Sequence, residues 1–293
     1  MNNLFSGWIF IDKHEGITSF QVVHEIRKIL QLKKIGHCGT LDPFATGILG
    51  IAIGEATKSI PYYSKKKEYK FKIVFGESRD TDDLMGEIIS ITNTVPKLEE
   101  INECLTDFVG DILQVPPNYS AVKVHGRRAY VLARNKENFN LKEKKITIDN
   151  LQCTDQENEK TFSFVLNCSS GTYVRALARD IAIKLGSLGY VSYLRRTKLG
   201  RINEKDIILL EKFKELVHIG DHFGILHSIE DVLDDIPAVR LDNKCSKQFH
   251  NGLNIDFCNK SFFQKPLLIM SENKFLGIGQ LNQGNINPIR VFN

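Results

Sequence analysis

One aspartate in the N-terminal part of the chain is placed as a reactive carboxylate would be. Asp42 lies in residues 36–49, a glycine-rich segment that runs directly into an apolar, strand-like stretch at 48–53. Pro43 follows Asp42 and disfavours a helical backbone there, so the carboxylate should project from an extended loop rather than from a helix face. A carboxylate presented in this way can act as a nucleophile or as a base.

Arg175 is the second residue whose position asks for a chemical explanation. It follows Gly171-Thr172-Tyr173-Val174, which opens a predicted helix that Gly186 closes. A cation is disfavoured at the positive end of a helix dipole, so an arginine in the first turn indicates a specific anionic partner. Asp42 is the natural candidate, because a guanidinium can hold a carboxylate through two hydrogen bonds and fix its orientation.

The elements that must position these side chains follow from periodicity. Residues 8–13 form a predicted strand, and a helix follows from Thr18 or Ser19, with Thr18 and Gln21 at capping-box spacing. Residues 68–76 alternate as a half-buried strand with Tyr69 on its apolar side. The remaining predictions are helices at 98–109 and 207–217, strands at 146–151, 161–169 and 190–202, and a surface loop at 135–145.

This mixture of strands and helices has no regular βαβ rhythm, which favours an α+β fold with a mixed sheet over a doubly wound one. The sequence pattern changes near residues 234–237. Beyond that point we predict a short helix at 245–250 and strands at 266–270, 275–281 and 289–292, with a turn at 271–274. The sequence therefore predicts a large domain over residues 1–232 and a small β-rich domain over residues 233–293.

Charge is more informative by its clustering than by its sum. The 293 residues carry a formal net charge of +4 and a pI near 8.6, below the pI above ~9 of strongly basic nucleic-acid-binding domains. Four basic groups nevertheless flank the segments named above, which predicts a surface that tracks phosphates. The groups are Arg27, Lys28, Lys33 and Lys34; Lys65, Lys66, Lys67, Lys70 and Lys72; Arg127, Arg128 and Arg134; and Arg195, Arg196, Lys198 and Arg201.

The cysteines and the apolar runs limit the class of protein. The six cysteines, at positions 38, 104, 153, 168, 245 and 258, show neither a C-x-x-C pair nor zinc-ligand spacing, so free thiols are expected. No signal peptide is evident, and no apolar run approaches the ~18 residues of a membrane span. We expect a cytoplasmic protein with no metal site.

Five segments in order carry a resemblance to a known family. They are residues 12–19, 36–49, 67–86, 114–134, and 171–175 with 194–196. Together they closely resemble the TruB family of tRNA pseudouridine synthases. Two positions depart from that family's pattern: His14 stands where proline is usual, and Cys38 stands where threonine is usual. A thiol is a weaker hydrogen-bond donor than a hydroxyl.

The resemblance implies a pseudouridine synthase catalytic domain followed by a PUA-like domain, and an enzyme that isomerises the uridine at position 55 in the T-arm of tRNA. That reaction breaks the bond from ribose C1′ to base N1 and re-forms it through C5, so it needs no redox step, cofactor or metal. Asp42 matches the family's essential aspartate. Whether Asp42 attacks C1′, attacks C6 or first takes a sugar proton stays open.

The resemblance also assigns roles around Asp42. Arg175 becomes the ion-pair partner of the aspartate, and Tyr69 stacks on the target uracil and relays a proton. His37 fills the space that displaced bases leave when the uridine is extruded. The other expected substrate-binding residues are Tyr173 and Leu194, which wall the pocket, and Lys13 of the first motif.

Three readings of the whole chain remain. The first is a stand-alone enzyme, expected to be a monomer that acts on tRNA without a protein partner. The second is the guide-RNA-dependent, dyskerin-like branch, which normally carries a fuller C-terminal domain and basic extensions. The third is an RNA-binding or folding factor without catalysis, which would not require the set Asp42, Tyr69 and Arg175.

Overall fold

The computed structural model describes residues 6–63, 65–221, 223–257, 265–272 and 274–292. Cys258, Asn273 and the N-terminal residues 1–5, on which parts of the sequence predictions rest, lie outside them. The strands are β1 (Gly7–Lys13), β2 (Ile35–Cys38), β3 (Thr46–Ile53), β4 (Lys67–Phe75), β5 (Glu77–Arg79), β6 (Ile88–Ile91), β7 (Gly110–Gln114), β8 (Lys123–Val124), β9 (Arg127–Arg128), β10 (Lys144–Gln156), β11 (Thr161–Cys168), β12 (Gly189–Leu199), β13 (Ile202–Asn203), β14 (Ile208–Leu209), β15 (Ala238–Leu241), β16 (Ile255–Asp256), β17 (Pro266–Ser271), β18 (Lys274–Asn282) and β19 (Asn285–Val291).

The helices lie between the strands along the chain. They are α1 (Ser19–Leu30), α2 (Leu98–Leu105), α3 (Ala129–Arg134), α4 (Val174–Lys184), α5 (Leu210–His218), α6 (Ile229–Val232) and α7 (Asn243–His250), and 3-10 turns occur at Gly54–Tyr62, Thr106–Phe108 and Glu204–Asp206. Within the described residues, no helix has the length and apolar character needed to cross a membrane. The five cysteines described there are all free thiols.

A ten-stranded mixed sheet forms the body of the molecule. Its main path runs β14-β1-β3-β12-β4-β11-β10-β7, with β2 paired to β3 and β13 paired to β12. Most neighbours are antiparallel, whereas β1 with β14 and β3 with β12 are parallel. A separate five-stranded sheet, in the order β15-β17-β18-β19-β16, forms the C-terminal part. The predicted mixed-sheet α+β fold with a small β-rich C-terminal unit is confirmed.

The two faces of the large sheet bury different partners. Ile9 and Ile11 of β1 pack in one core with the helices α1, α2 and α4. Trp8 and Phe10 alternate with them and pack on the other face, in a second core with residues of the C-terminal sheet such as Leu268. Successive side chains of a strand point to opposite faces, so a strand buried on both faces needs an unbroken apolar run.

Local signals placed several elements correctly and misplaced the ends of others. Thr18 caps α1, its hydroxyl accepting from the Gln21 backbone N–H (3.1 Å) while the Gln21 side chain accepts from the Thr18 N–H (2.8 Å). The helix predicted at 98–109 ends at Leu105, where a 3-10 turn follows, and Val109 is 46% exposed rather than buried. The tighter turn rotates Val109 off the helix face that packs on the sheet.

The start of the helix predicted at 207–217 is also wrong. Ile208 and Leu209 form the edge strand β14, which pairs with β1, and α5 begins only at Leu210. Strand β12 likewise ends at Leu199, before the predicted limit of 202, because the chain turns at Gly200 and returns as β13. Pairing with neighbouring strands, which a local pattern does not contain, sets both limits.

Gly47 lies at the point where β3 meets β12, and its missing side chain permits that contact. Its φ is +97°, and a Cβ there would stand 2.3 Å from the Arg196 carbonyl oxygen. We expect Gly47→Ala to lower the free energy of unfolding by more than 2 kcal/mol, roughly, because backbone strain and overpacking add. Urea unfolding monitored by circular dichroism measures this.

Gly186→Ala is the matched control. Gly186 also has a positive φ (+67°), but a Cβ there would meet nothing within 4 Å. Strain alone should then cost about 1 kcal/mol. Equal losses for the two variants would show that the contact between β3 and β12 does not require a glycine.

Candidate active site

The Asp42 loop joins β2 to β3, and hydrogen bonds hold it on both sides of the carboxylate. Before Asp42, the Leu41 N–H donates to the Ser19 hydroxyl (2.9 Å), which in turn donates to the Leu41 carbonyl (3.1 Å). After Asp42, the Pro43 carbonyl accepts from the Gly16 N–H (2.9 Å). The Asp42 side chain remains 31% exposed. The loop is therefore fixed while the carboxylate stays accessible.

Lys13 contributes to this loop through its ammonium group. The side chain is fully buried, and Nζ donates to the carbonyls of His14 (2.9 Å), Ile17 (2.8 Å) and Pro43 (3.1 Å). An ammonium group has three N–H donors, and backbone carbonyls take all three. Burial lowers the pKa of Lys13 to about 8, although the Asp42 charge opposes that shift. This geometry favours a positioning role for Lys13 over direct contact with a substrate.

Arg175 holds Asp42 through a two-pronged ion pair. Nε donates to Oδ2 (2.9 Å) and Nη2 donates to Oδ1 (3.0 Å). The guanidinium is buried, and its remaining donors reach the carbonyls of Thr81 (2.7 Å) and Tyr119 (3.0 Å). Arg175 thus ties the Asp42 loop to two other segments, the turn between β5 and β6 and the stretch after β7. The pairing of Arg175 with Asp42 agrees with the sequence prediction.

Gln114 explains why the helix that carries Arg175 begins where it does. Its side-chain oxygen accepts from the Tyr173 N–H (2.9 Å), and its side-chain nitrogen donates to the Tyr173 carbonyl (3.1 Å). Tyr173 is the N-cap of α4. Burial, together with the nearby Asp42 charge, raises the pKa of the Tyr173 phenol. The side chain of Tyr173 is half-buried, and the charges of Asp42 and Arg175 both act on it.

Two further carboxylates lie behind the ion pair. An Asp83 carboxylate oxygen lies 3.4 Å from the Arg175 guanidinium, and Asp83 is buried. Burial raises the pKa of Asp83, although the hydrogen bond from Thr81 acts in the opposite direction. Asp82 pairs with Arg179 at 3.1 Å, and burial raises its pKa to about 6. A carboxyl group whose pKa rises on folding binds its proton more tightly in the folded state than in the unfolded one.

Tyr69 and Leu194 lie on neighbouring strands, β4 and β12, and both are 5% exposed. Arg196, two residues after Leu194, pairs with Tyr69 in the sheet register. Its guanidinium is fully buried and donates to the carbonyls of Ile48 (2.6 Å) and Gly39 (2.8 Å), with the Tyr69 hydroxyl 3.4 Å from Nη1. Arg196 therefore joins the Asp42 loop to the strand that carries Tyr69.

The burial of Arg196 corrects part of the predicted phosphate-tracking surface. Lys65 is buried as well, and its ammonium group pairs with Asp234 and Asp235. The alternation of β12 contained a signal for Arg196, because residues 194 and 196 share the buried face of the strand. Asp83 and Gln114 stood in motif segments but were given no role in the sequence prediction.

His37 lies on β2, which leads into the loop, and is half-buried. Its Nδ1 atom is buried and has no hydrogen-bond partner within the described structure. Burial and the Arg196 charge both lower the pKa of His37. The imidazole is therefore neutral near pH 7, which suits contact with the face of a base. No group of His, Cys, Asp and Glu residues in the described ranges is arranged to hold a metal ion.

Solved structures with the same fold include chains of H/ACA ribonucleoproteins. One comes from an H/ACA ribonucleoprotein bound to a substrate RNA that contains 2′-deoxyuridine, with a TM-score of 0.75 and 21% identity over 98% of this chain and 85% of that one. Another comes from a Cbf5-Nop10-Gar1 complex, with a TM-score of 0.73 and 24% identity over 98% of this chain and 84% of that one. At these identities, the likeness shows the fold alone.

Family models and curated relatives go further. Residues 27–174 match the TruB family pseudouridylate synthase N-terminal domain, residues 175–236 the tRNA pseudouridylate synthase B C-terminal domain, and residues 237–292 the C-terminal domain of pseudouridine synthase II TruB. The tRNA pseudouridine synthase B of Ehrlichia ruminantium is 43% identical over 98% of this chain and 99% of its own length. That of Caulobacter sp. is 37% identical over 98% and 96%. The chain belongs to the TruB family of pseudouridine synthases.

The raised pKa of Asp82 has a measurable consequence for stability. Between about pH 4 and pH 6 the folded protein keeps a proton that the unfolded chain has lost, so this group's contribution to stability falls as pH rises through that range. Asn at position 82 does not titrate, and it tolerates the positive φ of that residue, +58°. We therefore compare the free energy of unfolding of Asp82→Asn with that of the wild type at each pH. The difference, variant minus wild type, should rise by about 2 kcal/mol between pH 4 and pH 7. Urea unfolding at several pH values tests this, and a constant difference would contradict it.

Proposed function

We propose that this protein isomerises uridine 55 in the T-arm of tRNA to pseudouridine, with Asp42 as the catalytic carboxylate. The observation that carries the proposal is the Asp42 side chain itself, which Arg175 holds by two hydrogen bonds and which stays open to solvent. A protein that only bound RNA would not need a carboxylate held open in this way. The names of the relatives, tRNA pseudouridine synthase B, support tRNA as the substrate.

The proposed reaction has three steps, and all of them take place in the pocket. The bond between ribose C1′ and base N1 must break, the detached uracil must turn over, and a bond from C1′ to C5 must form. The C5 proton then leaves and N1 gains one, so atoms and charge balance without a redox partner. Asp42 can attack C1′, attack C6 or first take a sugar proton, and Arg175 fixes its carboxylate in each case.

The other residues take supporting roles in this proposal. Tyr69 stacks on the uracil and relays the C5 proton, while Leu194 and Tyr173 wall the pocket against water. His37, neutral at physiological pH, occupies the space from which the target uridine is extruded. Lys13 holds the Pro43 carbonyl and thereby the Asp42 loop.

The test uses a T-arm stem-loop RNA tritiated at C5 of uridine 55, because tritium is released when C5 becomes the glycosidic carbon. The wild type should release it, and Asp42→Asn should release at least about 10⁴-fold less, since Asn is neither a nucleophile nor a base. Asn keeps an acceptor for Arg175, so binding of the RNA, measured in parallel by filter retention, should persist.

Glu15→Gln is the matched control, because Glu15 is an exposed carboxylate in the segment that leads into α1. It should release tritium at the wild-type rate. The same RNA tritiated only at another loop uridine should release none, which checks the position. Binding without release by the wild type would instead support an RNA-binding factor, or a different target uridine.

We further propose that residues 1–232 are the catalytic domain and that residues 233–293 add RNA contacts beyond the T-arm, in a cytoplasmic protein that acts as a monomer. The exposed lysines of α7, Lys244 and Lys247, are candidates for contact with phosphates of the acceptor stem. Light scattering of the protein, free and bound to tRNA, tests the monomer.

Full-length tRNA should then bind more tightly than the isolated stem-loop. The double variant Lys244→Gln, Lys247→Gln should lose about one to two orders of magnitude of that advantage. Each phosphate contact that is lost reduces the number of counterions released on binding. Affinity for the stem-loop alone should not change. If the double variant loses affinity for both RNAs equally, these lysines do not contact the acceptor stem.

A further inference from the structure

Two cationic side chains meet at Gly39, in the loop that carries Asp42. Gly39 has a φ of +68°, and a Cβ there would stand 3.2 Å from Arg196 Nη1 and 3.6 Å from Lys67 Nζ. The two cationic nitrogens therefore lie within about 7 Å of each other, close enough for strong repulsion where water is scarce. Gly39 itself contributes no side chain to the space between them.

Among the described residues, no carboxylate pairs with either cation. In the residues that the structure describes, no Asp or Glu oxygen lies within 4 Å of the Arg196 guanidinium, which is fully buried and donates to backbone carbonyls. Within the same part of the chain, the Lys67 ammonium group makes neither a hydrogen bond nor an ion pair, although the side chain is half-buried. Burying charge without a counter-charge is costly, so the pair favours an anion from outside the protein.

The neighbouring lysines show how Lys67 differs. Lys65 pairs with Asp234 and Asp235, Lys66 with Asp149, and Lys72 with Glu157. Lys70 has no ion pair in the described structure, but it lies on the opposite face of β4 from Tyr69. Lys67 precedes Tyr69 by two residues and so shares its face. Of the predicted group of five lysines, Lys67 is the one both free of a carboxylate and directed to the side of the pocket.

We propose that Lys67 binds a backbone phosphate of the RNA beside the Asp42 loop, with the buried Arg196 guanidinium adding its positive charge. The proposal rests on the function proposed above, because the phosphate is one that adjoins the nucleotide held at Asp42. A phosphate oxygen placed at Gly39 can approach the backbone closely and meet the Lys67 ammonium group without displacing a protein anion. The contact fixes the register of the loop RNA and carries no base specificity.

The experiment pairs a protein change with a change in one phosphate. Lys67→Gln, Lys67→Arg and Lys70→Gln are compared with the wild type by fluorescence anisotropy on the T-arm stem-loop, across a range of KCl concentrations. Each loop phosphate is also replaced singly by an uncharged methylphosphonate. Lys67→Gln should weaken binding about 5- to 10-fold at low salt and reduce the slope of log affinity against log salt by about 0.7 to 0.9, the value for one phosphate contact.

One methylphosphonate position should weaken binding to the wild type and have no effect on binding to Lys67→Gln. Lys67→Arg should keep most of the salt slope, and Lys70→Gln should match the wild type. When tritium release is measured against RNA concentration, the Lys67→Gln variant should show a raised KM with kcat within about threefold of the wild type.

An unchanged salt slope in Lys67→Gln, or the absence of any phosphate whose effect disappears in that variant, overturns the subsite. An equal loss in Lys70→Gln also overturns it, because both lysines would then act through general charge. If the wild type binds the stem-loop without releasing tritium, the proposed function fails while the Lys67 comparison still decides the subsite. If the wild type does not bind the RNA, both proposals fail.

Discussion

The candidate active site depends on a single buried guanidinium, which has partners in three separate segments. Arg175 binds Asp42 from the β2–β3 loop, Thr81 from the turn after β5, and Tyr119 from the segment after β7. None of these segments is regular secondary structure, so each could move on its own. The planar fork of an arginine fixes direction as well as distance. The Asp42 carboxylate is therefore held in one orientation before any substrate arrives.

Buried cations elsewhere in the site act on the backbone rather than on acids. Lys13 and Arg196 are both fully buried, and between them they donate to five carbonyls, including those of Gly39 and Pro43 on the two sides of Asp42. Charged donors make stronger hydrogen bonds than neutral ones. Their carbonyl acceptors carry no net charge, whereas the Asp42 carboxylate attracts the Lys13 charge from nearby. Charged donors thus hold the loop on both sides of the Asp42 carboxylate.

The sequence predicted the parts of the site that local chemistry determines. Asp42 before proline, Arg175 at a helix start and the capping box at Thr18 are short-range patterns, and their geometry agrees with the expectation. Arg196 was placed on a surface because charge in a sequence does not show what packs over it. The alternation of β12 places Arg196 on the same face as Leu194, and the pairing of β12 with β3 and β4 shows that this face is enclosed. The start of α5 was misplaced for a related reason, because the pairing of β14 with β1, which is distant in sequence, sets it.

The C-terminal sheet supports this arrangement from the opposite face. Ile48, in β3 just after the Asp42 loop, is fully buried and packs in one core with Trp8, Leu268 and Ile278. Its carbonyl is also an acceptor for Arg196. The strand that ends the Asp42 loop is therefore packed by the C-terminal unit and hydrogen-bonded by a buried cation. Since close-packed interiors transmit displacement, we expect the C-terminal unit to help hold the Asp42 loop in place.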